Sequence, residues 1–358
     1  MTQEPFGMAN EVFDVVVVGG GPVGLSAAYE VAKTGKKVLI LEQNNFFNQA
    51  GSSNDFARMF RTMYTENYMA NLAKKAMDLW DDLEKDAGTS LRWMSGLLNF
   101  GTLLGPLPNL KRLKMSYQWL TTREIERRYP LKSLPSDWIG IYAPDNGVIN
   151  VQLLVRTLLG LAKDYGATAK QHTHVVRIRR PGAHESVGWQ VETLRHNTDR
   201  VTYKAKKVII GAGAYVNHVL ELSFNMSLDL DIWEMVASYW SSNAGPSGTV
   251  FPNNMFVLDF VPKKYLDGGP EKSIMVYTAG WGMKFVPLLG KALAEMALYG
   301  HSEYALEEFE MTRRNPETGA GIIKHDIDSP NHGIHQSSFA REKQASGSSI
   351  KGLHNTDG

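Results

Sequence analysis

The clearest pattern of apolar and polar positions lies near the start of the chain. Residues 15–18 are four consecutive valines, and residues 37–41 form a second, nearly continuous apolar run. Such runs are typical of parallel strands that are buried on both faces. Between them, apolar residues recur at helical spacing from Leu25 until Gly35 interrupts the pattern. The chain therefore begins with a predicted strand–helix–strand unit.

The remainder of the chain predicts further helices and strands. The predicted helices cover residues 66–86, 122–129, 150–165 and a final stretch that ends near residue 299. The predicted strands cover residues 169–177, 188–194, 201–204, 207–210, 232–240, 255–261 and 273–278. Residues 44–61 are rich in Asn, Ser and Gly and are predicted to be a loop. Asn150 is a candidate N-cap for the helix at 150–165, and Gly166 is expected to end that helix.

Composition and charge narrow the classes of function. The chain has 358 residues, 43% of them hydrophobic, and can form one large domain or two closely packed ones. Its net charge of +1 argues against nucleic acid or an anionic membrane as a partner. No apolar run reaches the roughly 18 to 20 residues that span a bilayer. Neither terminus resembles a targeting signal, so we expect a cytoplasmic protein.

Cysteine and histidine usage argues against metal and covalent cofactor sites. The chain has no cysteine, which excludes disulfides, thiolate metal sites and a cysteinyl bond to a cofactor. His172 and His174 alternate on a predicted strand, where a solvated face is the simpler interpretation than a pair of metal ligands. We therefore expect no metal site.

A glycine-rich turn follows the first predicted strand. Gly19 permits the tight turn, Gly21 lets backbone N–H groups approach a pyrophosphate, and Gly24 lets the helix lie close to the strand. Glu42 ends the second strand, where it is expected to accept hydrogen bonds from ribose hydroxyls. This context predicts a dinucleotide site at the start of the helix, although the motif alone does not distinguish FAD from NAD.

Four longer segments resemble flavoproteins. The run DVVVVGGGPVGLSAAYEVAKTGKKVLILEQ resembles both the aromatic-ring hydroxylases and the amine and amino-acid oxidases of the sarcosine oxidase, pipecolate oxidase and N-methyltryptophan oxidase group. Residues 51–61, followed by Tyr64, resemble the G-S-x-x-x-x-x-R-x-x-R segment of the oxidases. Residues 279–285 are similar to their S-G-H-G-F-K-F, and residues 144–150 to their P-x-x-G-V-x-x. The GD-A-A-H-type motif of the hydroxylases is not found.

The resemblance implies non-covalently bound FAD and a set of site residues. The expected cofactor-binding residues are Gly19, Gly21, Pro22, Val23, Gly24, Glu42, Gln43, Ser52, Ser53, Arg58, Val175, Gly211, Ala212, Gly213, Gly280, Gly282, Met283 and Lys284. The expected catalytic residues are Arg58, Arg61, Lys284 and Trp281. The two arginines and the lysine are candidate cations for a substrate carboxylate. The spacing of Arg58 and Arg61, on or beside a helix start, would place both on similar faces. Trp281 would shield the flavin or line a substrate pocket, or else pack at a domain boundary.

The resemblance and the order of elements predict a mixed α/β (α+β) fold. A discontinuous, Rossmann-like FAD-binding domain is expected in residues 1–90, 145–225 and 270–312. A second, β-sheet-based substrate domain is expected in residues 91–144 and 226–269. Residues 313–358 have few large apolar residues and are expected to be a disordered tail.

The substrate domain is shorter than the resemblance implies. The segment between Gly213 and Gly280 lacks several dozen residues that the family carries, and the join is expected near residues 250–253. A pocket without one wall would expose the flavin. The loss would also remove the lysine that helps reduced flavin to react with oxygen, and nothing in the sequence places Lys263 or Lys264 in that position.

The predicted function is oxidation of the C–N bond of a small amine or of an N-alkyl or cyclic amino acid. Hydride passes to the flavin, and O2 is the expected acceptor, which gives an imine and H2O2. A monomer is expected. Two alternatives stay open: a flavin dehydrogenase or hydroxylase with another acceptor, and a truncated, catalytically impaired form that still binds FAD.

Overall fold

A computed structural model describes most of the chain. The described residues are 7–48, 50–51, 53, 57–102, 105–182, 188–230, 257–278, 282–314 and 319–324. The strands are β1 (Gly7–Val18), β2 (Val38–Leu41), β3 (Ala57–Phe60), β4 (Arg92–Trp93), β5 (Leu97–Gly101), β6 (Gln118–Thr121), β7 (Ile139–Ala143), β8 (Gly147–Asn150), β9 (Thr168–Lys170), β10 (Thr173–Arg179), β11 (Trp189–Arg195), β12 (Asp199–Ile210), β13 (Val257–Phe260) and β14 (Ile274–Thr278). The helices are α1 (Pro22–Lys33), α2 (Asn67–Ala87), α3 (Leu107–Arg112), α4 (Thr122–Arg128), α5 (Val151–Asp164), α6 (Val216–Phe224) and α7 (Val286–Tyr299).

The largest sheet has eight strands and is built around β1. Strand β1 pairs in parallel with β2 on one side and with β12 on the other. Strand β9 extends the sheet beyond β2, and β14 and then the antiparallel β13 extend it beyond the end of β12. On that side, the first half of β12 pairs instead with the antiparallel β11, and β10 pairs with the far edge of β11. The strand order therefore reverses at β1, which is where nucleotides bind in sheets of this kind.

Both faces of this sheet are covered, which explains the continuous apolar runs. Val15 and Val17 belong to a core beneath helices α1, α5 and α7, whereas Val16 and Val18 belong to a core beneath α6. None of these four valines is more than 5% exposed. Because successive side chains of a strand point to opposite faces, a strand buried on both faces needs no polar alternation.

Two three-stranded antiparallel sheets lie outside the large one. Their strand orders are β3–β8–β4 and β5–β7–β6. In the first, Val148 pairs with Met59 on one side and with Trp93 on the other, so the three side chains form a row across one face. Met59 is 50% exposed and Trp93 75% exposed. A sheet face that is fully covered by its own domain would not expose apolar side chains in this way.

Most of the predicted elements are confirmed, and the structure changes several of them. The predicted strand at 169–177 is two strands, β9 and β10, because residues 171–172 interrupt it. Residues 57–60 form strand β3 rather than part of a loop, because they pair with β8. The two predicted strands at 201–204 and 207–210 are one long strand, β12. Strand β13 pairs with β14 in the large sheet, whereas the sequence had placed it in the second domain. The predicted strand at 232–240 and most of the predicted tail lie outside the described residues.

Candidate cofactor and substrate site

Two close backbone approaches build the turn between β1 and α1. Gly19 has a φ of +106°, and a Cβ there would lie 2.4 Å from the carbonyl oxygen of Gly211. A Cβ at Gly24 would lie 2.2 Å from the carbonyl oxygen of Gly19. Since both contacts are to backbone atoms, no side-chain movement can relieve them. These two glycines are therefore required by the fold of the turn itself.

Gly21 differs because the space beside it is open. A Cβ at this position would meet no atom within 4 Å, and the residue has an ordinary φ of −73°. Gly21 is the N-cap of α1, and no described side chain caps this helix. The first N–H groups of α1 thus face a cleft, where the positive end of the helix dipole favours an anion.

Glu42 closes the cleft at the end of β2. Its carboxylate accepts a hydrogen bond from Gly20 N at 2.8 Å and from Asn44 N at 2.9 Å. The residue is only 7% exposed, and the two backbone bonds fix the position of its oxygens. A carboxylate held in this way presents an acceptor beside the glycine turn, as a ribose of a dinucleotide requires.

These residues line one large cleft at the carboxyl ends of β1, β2 and β12. It encloses about 1450 Å3 of space, part of it open to solvent. The predicted cofactor residues that line it are Gly19, Gly21, Pro22, Val23, Gly24, Glu42, Gln43, Ser53, Arg58, Val175, Gly211, Ala212, Gly213, Gly282 and Met283. Ser52, Gly280 and Trp281 lie outside the described residues, so the role predicted for each is not assessed by the structure.

Sequence reasoning missed several residues of the cleft. His174, His218 and Tyr277 line it although none was a candidate cofactor residue. His174 flanks the predicted Val175 on β10, and burial lowers its pKa, with a smaller effect from His218. Tyr277 lies in β14, and a Cβ on Gly282 would be 1.8 Å from its hydroxyl oxygen. Its proximity to the turn at 279–285 was the one signal in the sequence that pointed to Tyr277.

A second cluster lies beside the cleft and brings together two of the predicted cations. The guanidinium carbon of Arg61 is 4.9 Å from the centroid of the Tyr64 ring, and Lys284 Nζ is 5.9 Å from the same centroid. Tyr64 and Lys284 are 6% and 8% exposed. We call Arg61, Tyr64 and Lys284 the cation cluster.

The structure places Arg58 in strand β3 and at the cofactor cleft. The sequence interpretation placed Arg58 and Arg61 on similar faces beside a helix start, but Arg58 lies in strand β3 and Arg61 follows that strand. Arg58 lines the cofactor cleft, whereas Arg61 stacks against Tyr64. The helical spacing argument was wrong because the segment is extended, where residues three apart do not share a face.

Burial changes the acid–base chemistry of the cation cluster. Desolvation, and next the nearby Arg61, lower the pKa of Lys284 to about 7. Desolvation also raises the pKa of the Tyr64 phenol above its usual range, which Arg61 partly opposes. Lys284 is therefore a mixture of ammonium and free amine near neutral pH, and Tyr64 is a neutral phenol.

The turn that carries Lys284 is held from two sides. The indole Nε1 of Trp80, which is fully buried, donates a hydrogen bond of 2.9 Å to the backbone carbonyl of Lys284. On the other side, Gly282 lies against the Tyr277 hydroxyl. Lys284 itself does not line the cofactor cleft, but Gly282 and Met283 directly before it do. The turn therefore connects the cleft to the cation cluster.

The residues of the cleft fit the adenosine diphosphate part of a dinucleotide. Gly21 leaves open space at the N-terminus of α1, Glu42 is held at the end of β2, and the turn after β12 forms the far wall. No group of three or more His, Asp or Glu side chains in the described part of the chain is arranged to hold a metal ion. The fold and this cleft define an α/β protein of the dinucleotide-binding class.

Comparison with known families makes this assignment specific. The family model of DAO, described as FAD dependent oxidoreductase, matches residues 14–238, which is more than half of the chain. The chain therefore belongs to the DAO family of FAD-dependent oxidoreductases. Within the described residues, no helix has the length and apolar character needed to cross a bilayer.

Curated relatives of this chain carry the names of oxidases. A Dictyostelium discoideum protein named as a putative bifunctional amine oxidase is 36% identical and matches 87% of this chain and 38% of its own length. The human peroxisomal sarcosine oxidase is 29% identical over 64% of this chain and 57% of its own length. The N-methyl-L-tryptophan oxidase of Yersinia pestis is 28% identical over 69% of this chain and 67% of its own length. The chain thus spans about two fifths to two thirds of these relatives.

Solved structures show the same fold. NikD in its open form, an amino acid oxidase of nikkomycin biosynthesis, is 26% identical with a TM-score of 0.68, and the match covers 84% of this chain and 98% of NikD. The L-proline dehydrogenase of P. horikoshii has a TM-score of 0.64 at 14% identity, covering 84% of this chain and 97% of that enzyme. The second match supports the fold alone.

Proposed function

We propose that this protein binds FAD non-covalently and oxidises the C–N bond of a small amine or amino acid. The observation that carries the proposal is the cation cluster, which lies next to a dinucleotide cleft in a chain of the DAO family. Bound FAD would accept a hydride from the α-carbon of the substrate. The chain has no cysteine, so a cysteinyl bond to FAD is impossible. This supports non-covalent binding.

Named residues would hold the cofactor and the substrate. The N-terminus of α1 would bind the pyrophosphate, and Glu42 would accept hydrogen bonds from the adenosine ribose. Arg58, which lines the cleft, would place positive charge near the ring system. Arg61, whose planar guanidinium suits bidentate contacts, would bind a substrate carboxylate. Relatives named as sarcosine and N-methyltryptophan oxidases support an N-methyl amino acid as the substrate class.

Oxygen as the acceptor and a monomeric state complete the proposal, and two observations keep another acceptor open. The match to the Dictyostelium relative extends over 417 aligned positions, more than the 358 residues of this chain, so that relative contains residues without counterparts here. The exposed Met59 and Trp93, in one row with the half-buried Val148, also support a shortened substrate domain. If the shortening removes a group that promotes oxygen reduction, a different acceptor would reoxidise the flavin.

The first experiment tests cofactor binding. The purified protein should show flavin absorbance, and added FAD should raise the thermal midpoint in proportion to the logarithm of its concentration above Kd. A Glu42→Ala variant should bind FAD more weakly, while the exposed Glu303→Ala serves as a matched control. A colourless protein that FAD does not stabilise, or equal affinities in the two variants, would overturn the proposal.

The second experiment tests the reaction and separates the acceptors. FAD-loaded protein is mixed anaerobically with N-methyl and cyclic amino acids, and bleaching of the flavin is followed before air is admitted. Bleaching followed by release of peroxide supports the oxidase. Bleaching without peroxide in air supports a dehydrogenase. Absence of bleaching with every amine tested, in a protein that retains FAD, would contradict the proposed activity.

A further inference from the structure

One buried arginine lies outside both the cofactor cleft and the cation cluster. Arg92 belongs to strand β4, its side chain is only 4% exposed, and it is not among the described residues that line the cleft. Taking a guanidinium group out of water is costly unless the group is paired and hydrogen-bonded. Apolar side chains in place of a buried ion pair are often as stable or more so, and stability alone therefore does not account for Arg92.

Two carboxylates of helix α2 fix the orientation of this guanidinium group. Arg92 donates to both oxygens of Glu84, from Nε to Oε1 at 3.2 Å and from Nη2 to Oε2 at 2.8 Å. Nη2 also donates to Asp81. Glu84 Oε1 in turn accepts from the backbone N–H groups of Leu91 and Arg92, at 2.8 and 2.9 Å. Because paired hydrogen bonds define the plane of a guanidinium group, the direction of its flat faces is fixed.

The guanidinium group lies against two buried aromatic rings. Its central carbon is 5.0 Å from the centroid of the Phe60 ring and 5.4 Å from that of Trp80. The two rings contact each other edge to face, with 6.1 Å between their centroids. Both residues are fully buried, and a cation is attracted most strongly to an aromatic face when neither is solvated. Arg92 and Phe60 therefore set the orientation of the Trp80 ring together.

The orientation of Trp80 matters at the wall of the cofactor cleft. Its indole Nε1 donates a hydrogen bond of 2.9 Å to the backbone carbonyl of Lys284. An indole has a single N–H group, which lies in the plane of the ring, so a rotation of the ring would break this bond. The carbonyl belongs to the turn of residues 282–285, and the first two residues of that turn line the cleft. Arg92 is thus connected to the cleft wall through Trp80.

We propose that Arg92 is a positioning residue for the oxidation of the substrate. By fixing the Trp80 ring, it holds the turn of residues 282–285 against the cofactor cleft and so sets how the flavin lies relative to the substrate. The inference rests on the proposed function, because the turn can act on the reaction only with a flavin in the cleft. A displaced turn would slow hydride transfer more than it weakens FAD binding, since transfer depends steeply on the geometry of the reacting atoms.

Hydrogen exchange of one indole N–H group tests the connection to Trp80 without turnover. In Arg92→Met/Glu84→Gln the buried ion pair is removed, and the new amide oxygen can still accept from the backbone. Exchange of the Trp80 indole, assigned by its loss in Trp80→Phe, should become at least about tenfold faster. The indole of Trp189, which is buried and donates to Ser273 Oγ at 3.0 Å, is the internal control and should keep its rate. Unchanged exchange at Trp80, or equal acceleration at both indoles, overturns the proposal.

The stability of the variants separates positioning from folding. The unfolding midpoint of Arg92→Met/Glu84→Gln should stay within about 4 °C of the wild type, because its ion pair is removed as a whole and Asp81, which is 72% exposed, remains hydrated. Arg92→Lys keeps the charge without the planar group, so its Trp80 indole should exchange at an intermediate rate. A wild-type exchange rate in Arg92→Lys would contradict a role of the guanidinium plane.

Anaerobic reduction of the flavin tests the effect on the reaction. FAD-loaded protein is mixed with sarcosine or N-methyl-L-tryptophan, and the limiting rate of bleaching is measured at saturating amine. This rate should fall at least about tenfold in Trp80→Phe and in Arg92→Met/Glu84→Gln, while the Kd for FAD changes by less than about threefold. The exposed Arg128→Met is the matched control and should keep the wild-type rate. Unchanged rates in both variants, or an equally large loss of FAD affinity, overturn the proposal.

Combining the changes shows whether Arg92 acts through Trp80. If it does, Trp80→Phe/Arg92→Met/Glu84→Gln should be reduced as fast as Trp80→Phe, because the connection is already broken at Trp80. Rate losses that multiply would show independent effects and overturn the proposal. A protein that holds FAD but is bleached by no amine refutes the proposed function, and the exchange of the Trp80 indole then still decides whether Arg92 fixes that ring.

Discussion

At the scale of single residues, two glycines of one turn have separable roles. Gly24 has no room for a side chain, because a Cβ would collide with a backbone carbonyl at 2.2 Å. Gly21 has room in the protein, and its open space is where a pyrophosphate would approach. Stability therefore depends on Gly24, whereas ligand affinity depends on both.

This difference predicts opposite outcomes for two small substitutions. Gly21→Ala should leave the unfolding free energy of the cofactor-free protein within about 0.5 kcal/mol of the wild type, and weaken FAD binding by roughly tenfold or more. Gly24→Ala should lower that free energy by about 1–3 kcal/mol through overpacking. Urea unfolding and FAD titration measure the two quantities. A Gly21→Ala protein with unchanged affinity would show that FAD does not approach this turn closely.

Lys284 predicts a stability effect that depends on pH. Its pKa is about 7 in the folded protein and 10.5 in the unfolded chain, so the unfolded state binds more protons between these values. Stability should therefore rise with pH from 7 to 10.5 and be lost as pH falls across this interval. Lys284→Met should stabilise the protein at pH 7 by an amount on the order of 2–4 kcal/mol, because it removes the buried amine.

Thermal unfolding at several pH values checks this prediction. The gain in Lys284→Met should shrink as pH rises through 10.5, above which the lysine is neutral in both states. Lys291→Met should show no comparable pH-dependent gain, since that side chain is 36% exposed and pairs with Glu295. A gain in Lys284→Met that is independent of pH would point to better packing rather than to the removed charge.

At the scale of elements, helices α1 and α7 approach each other closely. A Cβ on Gly290 of α7 would lie 2.1 Å from Ser26 Oγ and 2.7 Å from the Ser26 backbone carbon. Both helices cover the face of the large sheet that carries Val15 and Val17. The position of α1, and so of the anion-binding helix terminus, therefore depends on a glycine in a helix near the end of the described chain.

A matched pair of glycines tests this packing. Gly160 lies inside α5, and a Cβ there would meet nothing within 4 Å. Gly160→Ala should stabilise the protein by roughly 0.5–1 kcal/mol, because alanine has the higher helix propensity. Gly290→Ala should destabilise it by about 1–3 kcal/mol despite the same change in propensity. Stabilisation in both variants, measured by urea unfolding, would show that α1 and α7 can separate without cost.

The same elements show what the sequence could predict. The valine run, the glycine turn and Glu42 predict the first strand–helix–strand unit, because each signal is local. Asn150 is confirmed as the N-cap of α5, where its side chain accepts from Leu153 N at 3.0 Å. The pairing of β13 with β14 was not predictable, since the partners of a strand are set by distant residues.

The substrate side of the site was harder to predict for a related reason. Whether Arg58 and Arg61 share a face depends on whether their segment is a helix or a strand. The segment is a strand because it pairs with β8, which lies about ninety residues further along the chain. Because lysine is seldom buried, a low pKa for Lys284 was not predictable from its residue type. That shift arises from tertiary packing with Trp80, Tyr64 and Arg61.

At the scale of the whole molecule, the cofactor cleft collects segments from distant parts of the chain. Its walls come from the turn after β1, the end of β2, the start of β10, the turn after β12 and the turn after β14. Backbone hydrogen bonds join three of these turns, from Gly19 N to Leu41 O and from Gly211 N to Val18 O, each at 2.8 Å. A ligand in this cleft would therefore stabilise segments from both sides of β1 together.

Hydrogen exchange with and without FAD tests this coupling. FAD should slow exchange at the amides of residues 19–24, at Val175 and at Ala212, since all three segments line the cleft and bound ligand opposes their local opening. The amides of α4 (Thr122–Arg128), which do not line the cleft, should exchange by local opening at an unchanged rate. Protection confined to residues 19–24 would mean that the far walls do not contact the cofactor. Equal protection of α4 would indicate a general rise in stability instead. Each of these two results would contradict a single cofactor site that is assembled from both halves of the sheet.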